Sequence, residues 1–228
     1  MNMLFRKSIQ IAGVFFSLGL ALAVAVFTGV MATKVLPYLS FERAIHFLGT
    51  KPDEVLDKRH FMAAFYIHIT SSLVVMALGL GQFFPFLTRR FPAFHRLSGK
   101  IYILAILFLA APSGLVLAAY ANGGLPAQVG FSLQCIVWWF ITFAAWREIR
   151  QKRFVPHANM MIRSYAVTLA AMSLRTESYV MYYWFGTKPL ETYLTVTWLS
   201  WVGNLLLAEL LIYGGLGKNL TKLASKPL

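Results

Sequence analysis

Six apolar runs, each close to the length that crosses a bilayer, govern what this chain can fold into. A helical span needs about 20 residues at about 1.5 Å rise each to cross the hydrocarbon. Residues 11–31, 61–84, 101–120, 129–146, 160–175 and 194–213 approach that length. The fifth is the shortest and ends in a charge, Arg175, with room to extend toward Tyr183. A chain of 228 residues that is 58% hydrophobic and 13% charged, with a mean hydropathy of +0.64, is too apolar for an ordinary soluble domain. The expected fold is therefore all-α: a polytopic membrane protein, one domain over residues 1–228, built as a bundle of six transmembrane helices.

Charge sets the expected orientation. Of the 21 Lys and Arg, 14 fall on the side of the N-terminus, among them Arg6, Lys7, Arg89, Arg90, Arg96, Lys100, Arg147, Arg150, Lys152 and Arg153. The positive-inside rule then puts both termini in the cytoplasm. Glu42, Asp53, Glu54, Asp57, Glu177 and Glu191 lie on the opposite side, leaving only Glu148 and Glu209 among the basic clusters. A net charge of +13 arranged this way speaks for cytoplasmic retention and contact with anionic headgroups, not for nucleic acid. Cys135 is the only cysteine, so an internal disulfide and a cysteine-based metal cluster are excluded. The first run has the outline of a signal peptide, but it is longer than a typical h-region and its cleavage would leave an odd number of spans, so an uncleaved helix is expected. The outer segment 33–60 reads as a structured loop with a short amphipathic helix around 41–48, and ANGGLPAQ as a tight turn. Pro112, Ser113 and Gly114 should kink the third helix.

Ionisable groups at membrane depth are costly and usually face a bundle interior or a water-filled path. Glu209 lies about one turn from the cytoplasmic end of the last run, at a depth similar to Arg163. An Arg163–Glu209 pair would relieve two isolated charges, as a helix clamp or as part of a working site. His95 and His157 hold equivalent places, each after a proline turn and ahead of an apolar run. Two imidazoles at one depth on different helices can ligate one haem iron axially. In that reading Arg96 and Arg163 could receive the propionates, while Tyr102 and Glu209 could relay protons or meet a quinone. The plainer reading makes both histidines interfacial, touching lipid phosphate or capping a helix.

In the outer half, His68 begins a small and polar stripe through Ser72, Gly79 and Gln82. That face suits close packing or a narrow polar path. Arg175 and Glu177 are its candidate companions, and a core histidine bonded to a backbone carbonyl is the alternative. His60 is on the same helix, so it cannot be the opposite axial ligand, and no second histidine lies at that depth. HExxH, paired CxxC, a phosphate loop and a GxSxG elbow are all missing, so no catalytic residue is assigned and enzymatic activity stays open.

The strings HITSSLVVMALGLGQF, HRLSGKIYILAILFLAAPSG, WREIRQKRFVPHANMMIRSYA and WLSWVGNLLLAEL resemble a family of uncharacterised bacterial membrane proteins, domain of unknown function 2306. The likeness spans about residues 60–210. It implies a multi-pass protein of a bacterial inner membrane but names no reaction. Positions matching its motif residues are His68, Gln82, His95, Arg96, Gly99, Tyr102, His157, Arg163, Ser164, Tyr165, Arg175, Asn204 and Glu209. Three functions stand as expectations: a redox protein holding one haem b through His95 and His157; a transporter or permeation protein using the His68, Arg163 and Glu209 network; and a non-catalytic subunit or assembly factor, as a homodimer or with a membrane partner.

Overall fold

The computed structural model describes residues 19, 22–42 and 45–225. Among them the chain forms helices and no strand. In order these are α1 (Leu22–Ser40), α2 (Asp53–Leu56), α3 (Arg59–Gly81), α4 (Pro85–Arg90), α5 (Pro92–Ala118), α6 (Leu125–Arg150), α7 (Phe154–Thr168), α8 (Ala170–Phe185), α9 (Pro189–Tyr213) and α10 (Leu216–Ala224). Helices α1, α3, α5, α6 and α9 are long and apolar enough to cross a membrane. Their polarity is inverted relative to a soluble bundle: Thr142, Ser164, Thr197 and Ser200 are fully buried, whereas Phe108, Leu206 and Leu210 are each more than 60% exposed. Such an apolar exterior is what acyl chains solvate, so lipid contact follows from the bundle itself.

The spans differ from their sequence outlines where charged residues continue a helix. The third begins at Pro92 rather than residue 101, because proline suits a first helical turn and HRLSGK carries no breaker strong enough to delay it. His95 is thus inside the helix and not in the loop before it. The first span continues past Met31 to a 3-10 turn opened by Pro37, which puts Lys34 on the helix. The beginning of that span, and with it the question of cleavage, lies outside the described residues.

The fifth run is the main departure. It is two helices, α7 and α8, separated at Leu169. No Pro or Gly marks the break. The Asn204 amide of α9 donates to the Ala166 carbonyl at 3.0 Å, and Thr168 Oγ1 donates to Ser164 O at 3.0 Å. Side chains that reach backbone carbonyls in this way compete with the helical ladder and bend it.

The proline of α5 is absorbed rather than left as a simple kink. Pro112 brings no N–H, and a π-helical turn at Ile106–Ala110 precedes it. Side chains meet the carbonyls there: Ser113 Oγ donates to Leu109 O at 2.5 Å, His68 Nδ1 to Ala110 O at 2.9 Å and Trp139 Nε1 to Leu107 O at 3.0 Å. Three helices are pinned at one irregular turn.

At the end of the bundle where α3 begins, the connection to α3 forms turns and a 3-10 segment, Leu48–Thr50, rather than the expected amphipathic helix at 41–48; residues 43 and 44 lie outside the described set. Tyr38, Leu48, Leu56, Phe61 and Phe65 give this cap its own small core. The turn after α5 requires positive φ at Gly123 (+86°) and Gly124 (+69°), which only glycine adopts freely. Lys51 fastens the cap to that turn: its buried ammonium donates to Tyr120 O at 2.5 Å and Asn122 Oδ1 at 2.7 Å, with the Phe47 ring 4.9 Å away. Burial without a carboxylate partner pushes the Lys51 pKa below its ordinary 10.5. The unfolded chain therefore binds more protons between the lowered value and 10.5, and stability contributed by this group rises with pH across that window. Thermal melts of wild type and Lys51→Met should show a positive pH slope on the alkaline side that the variant lacks.

Candidate functional site

Helices α5 and α7 begin at the same end of the bundle, because two antiparallel turns separate them, and they face one another across a buried hydroxyl cluster. Tyr102 OH of α5 lies 3.0 Å from both Ser164 Oγ and Thr168 Oγ1 of α7, and Thr142 of α6 reaches Ser164 Oγ at 2.7 Å. Tyr165 OH donates to Met76 O of α3 at 3.1 Å. Gly79 of α3 makes this possible. A Cβ there would collide with the Tyr165 ring and stand 2.7 Å from Tyr102 Cε2. Four helices thus meet on two tyrosines.

The register of this meeting places the two histidines. His95 precedes Tyr102 by seven residues, and His157 precedes Ser164 by the same interval. Seven residues is about two turns, so each histidine shares a face with its hydroxyl partner roughly 10 Å further along. Both also begin their helices identically: the His95 N–H donates to Phe91 O at 3.0 Å and the His157 N–H to Arg153 O at 2.9 Å. In parallel helices in step, the imidazoles come close enough to interact electrostatically.

Each ring is oriented through Nδ1. His157 Nδ1 lies 2.8 Å from the Ala145 carbonyl, which can only accept, so Nδ1 carries the proton and Nε2 keeps its lone pair. His95 Nδ1 lies 3.3 Å from Thr88 Oγ1 of α4, a hydroxyl that can donate or accept. A carbonyl or hydroxyl on the outer ring nitrogen is how ligating histidines are commonly held. Arg96 beside His95 is exposed and pairs with no acid among the described residues.

Sequence reasoning missed Glu148. It is 6% exposed on α6, one turn beyond Ala145, within electrostatic reach of His157. Arg153 Nε stands 3.1 Å from its Oε2. The only signal was a single acid inside the basic string WREIRQKR.

Arg163 and Glu209 form a bidentate pair, Nε to Oε1 at 2.5 Å and Nη2 to Oε2 at 2.8 Å, on the outer flank of α7 and α9. The guanidinium expected as a propionate anchor is thus paired with a carboxylate. Tyr102 is fully buried in its hydroxyl cluster and bonds neither Glu209 nor an accessible partner, so the anticipated relay between them is not formed. A double-mutant cycle with Arg163→Gln and Glu209→Gln should give a coupling of about 1 kcal/mol, typical of polar pairs between membrane helices. Arg163→Lys should recover less than half, because an ammonium cannot match both oxygens.

The rest of the expected polar network is not brought together. His68 is satisfied at the π turn. Gln82 Nε2 donates to Ser98 Oγ at 2.8 Å, tying α3 to α5. Asn204 binds Ser173 Oγ at 2.9 Å as well as Ala166 O. Arg175 Nη1 turns back to Ala171 O at 2.7 Å, and Glu177 Oε2 is buried without a hydrogen-bond partner, so neither joins His68. These side chains are local fasteners at separate points.

No curated protein and no solved structure matches the chain. Residues 65–212, more than half of the chain, match the family described as a predicted membrane protein, DUF2306. The stretch contains His95 and His157, the hydroxyl cluster and the Arg163–Glu209 pair, and leaves out α1 and most of the cap that Tyr38, Leu48 and Leu56 help to build. On that match and a bundle of apolar helices, the chain belongs to the DUF2306 family of membrane proteins of unknown function.

Proposed function

We propose that this protein is a small membrane redox protein that holds one haem b between His95 and His157. The observation that supports the reading is the common register of α5 and α7: His95 and His157 each stand seven residues before hydroxyl partners that touch, and each ring makes a hydrogen bond through Nδ1. The donor set suits haem: two imidazoles, His157 with Nδ1 donating to a backbone carbonyl and His95 with Nδ1 bonded to a threonine hydroxyl. The broken helix α7–α8 counts as a sixth crossing, and both termini then face the cytoplasm. Haem, when bound, supplies one-electron transfer. The chain's own contribution is to fix ring orientation through Ala145 O and Thr88 Oγ1, and to place a negative carboxylate, Glu148, near His157. Arg96 offers the free cation for a propionate.

The test is haem content. Detergent-purified protein from haem-replete cells should show a Soret band that shifts on dithionite reduction and contain close to one haem per chain. A featureless spectrum after such expression would reduce the histidines to helix-hairpin fasteners.

A further inference from the structure

The end of the bundle that carries His95 and His157 is closed by α4 and α10, which pack against each other and, in the case of α10, across the beginning of α7. Gly217 fixes that crossing, because a Cβ there would overlap Asn159 Oδ1, two residues beyond His157. The inner face of α10 is formed by Leu216, Gly217, Leu220, Thr221 and Ala224, while Lys218 and Lys222 are exposed on the outer face. Their i, i+4 spacing puts two like charges side by side, an arrangement that weakens an isolated helix. Helix α4 adds Arg90, exposed, and Arg89, whose Nε is buried without a hydrogen-bond partner.

Among the described residues the ion pairs involve Arg147, Arg153 and Arg163, so none of these four cations has a carboxylate. An orphaned guanidinium nitrogen and three unpaired cations on two packed helices form an electrostatic vacancy. It lies where the span-length helix α9 ends and the chain turns through Gly214 and Gly215 onto an amphipathic helix, the kind of helix that lies along a membrane interface. Phosphate supplies what is missing: negative charge and several acceptor oxygens.

We propose that α4 and α10 form a binding site for the phosphate of an anionic membrane phospholipid, with Arg89, Arg90, Lys218 and Lys222 as its cationic contacts. The site is independent of the haem reading, since it uses neither histidine.

Native mass spectrometry of the full chain, released from detergent after incubation with phosphatidylglycerol or phosphatidylcholine, tests it. Phosphatidylglycerol should be retained preferentially, and Lys218→Gln and Lys222→Gln should each lower its retention about fivefold, the effect expected for one basic residue at an anionic surface. Both lysines are exposed, so these variants keep the experiment informative if Arg89→Gln does not fold. Lys188→Gln, on an exposed residue at the start of α9, should leave retention unchanged, and inorganic phosphate at equal concentration should not displace the lipid. Equal retention of the two lipids, an unaltered Lys218→Gln/Lys222→Gln protein, an equal loss in Lys188→Gln, or displacement by inorganic phosphate would each overturn the proposal.

Discussion

Replacing His157 with alanine should abolish haem binding while leaving a folded, monodisperse protein. The substitution removes one hydrogen bond, from Nδ1 to Ala145 O, a loss of about 1 kcal/mol in stability. On the proposed haem reading it would also remove an axial ligand altogether. The same holds for His95→Ala, whose lost bond to Thr88 Oγ1 is the weaker at 3.3 Å. Haem per chain should therefore fall from near one to a small fraction in either variant, with helical content by circular dichroism unchanged. If the histidines only fasten helices, both variants would lose modest stability and no chromophore would be at issue.

The largest stability effect is expected at Gly79. Its Cα hydrogen faces two aromatic rings, and an alanine methyl would meet Tyr102 Cε2 at 2.7 Å as well as the Tyr165 ring. Neither ring is free to retreat, since Tyr165 OH is tied to Met76 O and Tyr102 OH to Ser164 and Thr168. Overpacking of this kind typically costs about 1–3 kcal/mol, and the double tether places Gly79→Ala near the top of that range. Gly203→Ala is the control. The nearest atom to its added methyl is Leu199 Cδ1 at 3.6 Å, an ordinary contact, so the change should be neutral or slightly stabilising through helix propensity. Thermal unfolding in detergent, followed by circular dichroism and size exclusion, would separate the two.

These contrasts show what the sequence made legible. The apolar runs were visible because a bilayer demands length and hydrophobicity of each span independently. The likeness of His95 and His157 was visible too, because each follows a proline, Pro92 three residues before His95 and Pro156 directly before His157. Their common register was not: the i+7 spacings to Tyr102 and Ser164 are written in the chain, but their meaning depends on those two residues being partners. The break at Leu169 carried no local mark, since it is made by Asn204 from α9. Glu148 was hidden for a different reason, because a lone acid among arginines reads as a solvated face until burial is known. Arg163 and Glu209 could be matched by depth alone. Residues satisfied by backbone carbonyls, such as His68 and Arg175, looked like network members only because their acceptors are not side chains.

Whether both histidines bind one iron is measured directly by low-temperature electron paramagnetic resonance of the oxidised protein. Wild type should give a low-spin signal of bis-imidazole ligation, and any iron left in His95→Ala or His157→Ala should become high-spin. A high-spin wild-type signal, or a low-spin signal that survives loss of either histidine, would contradict the assignment.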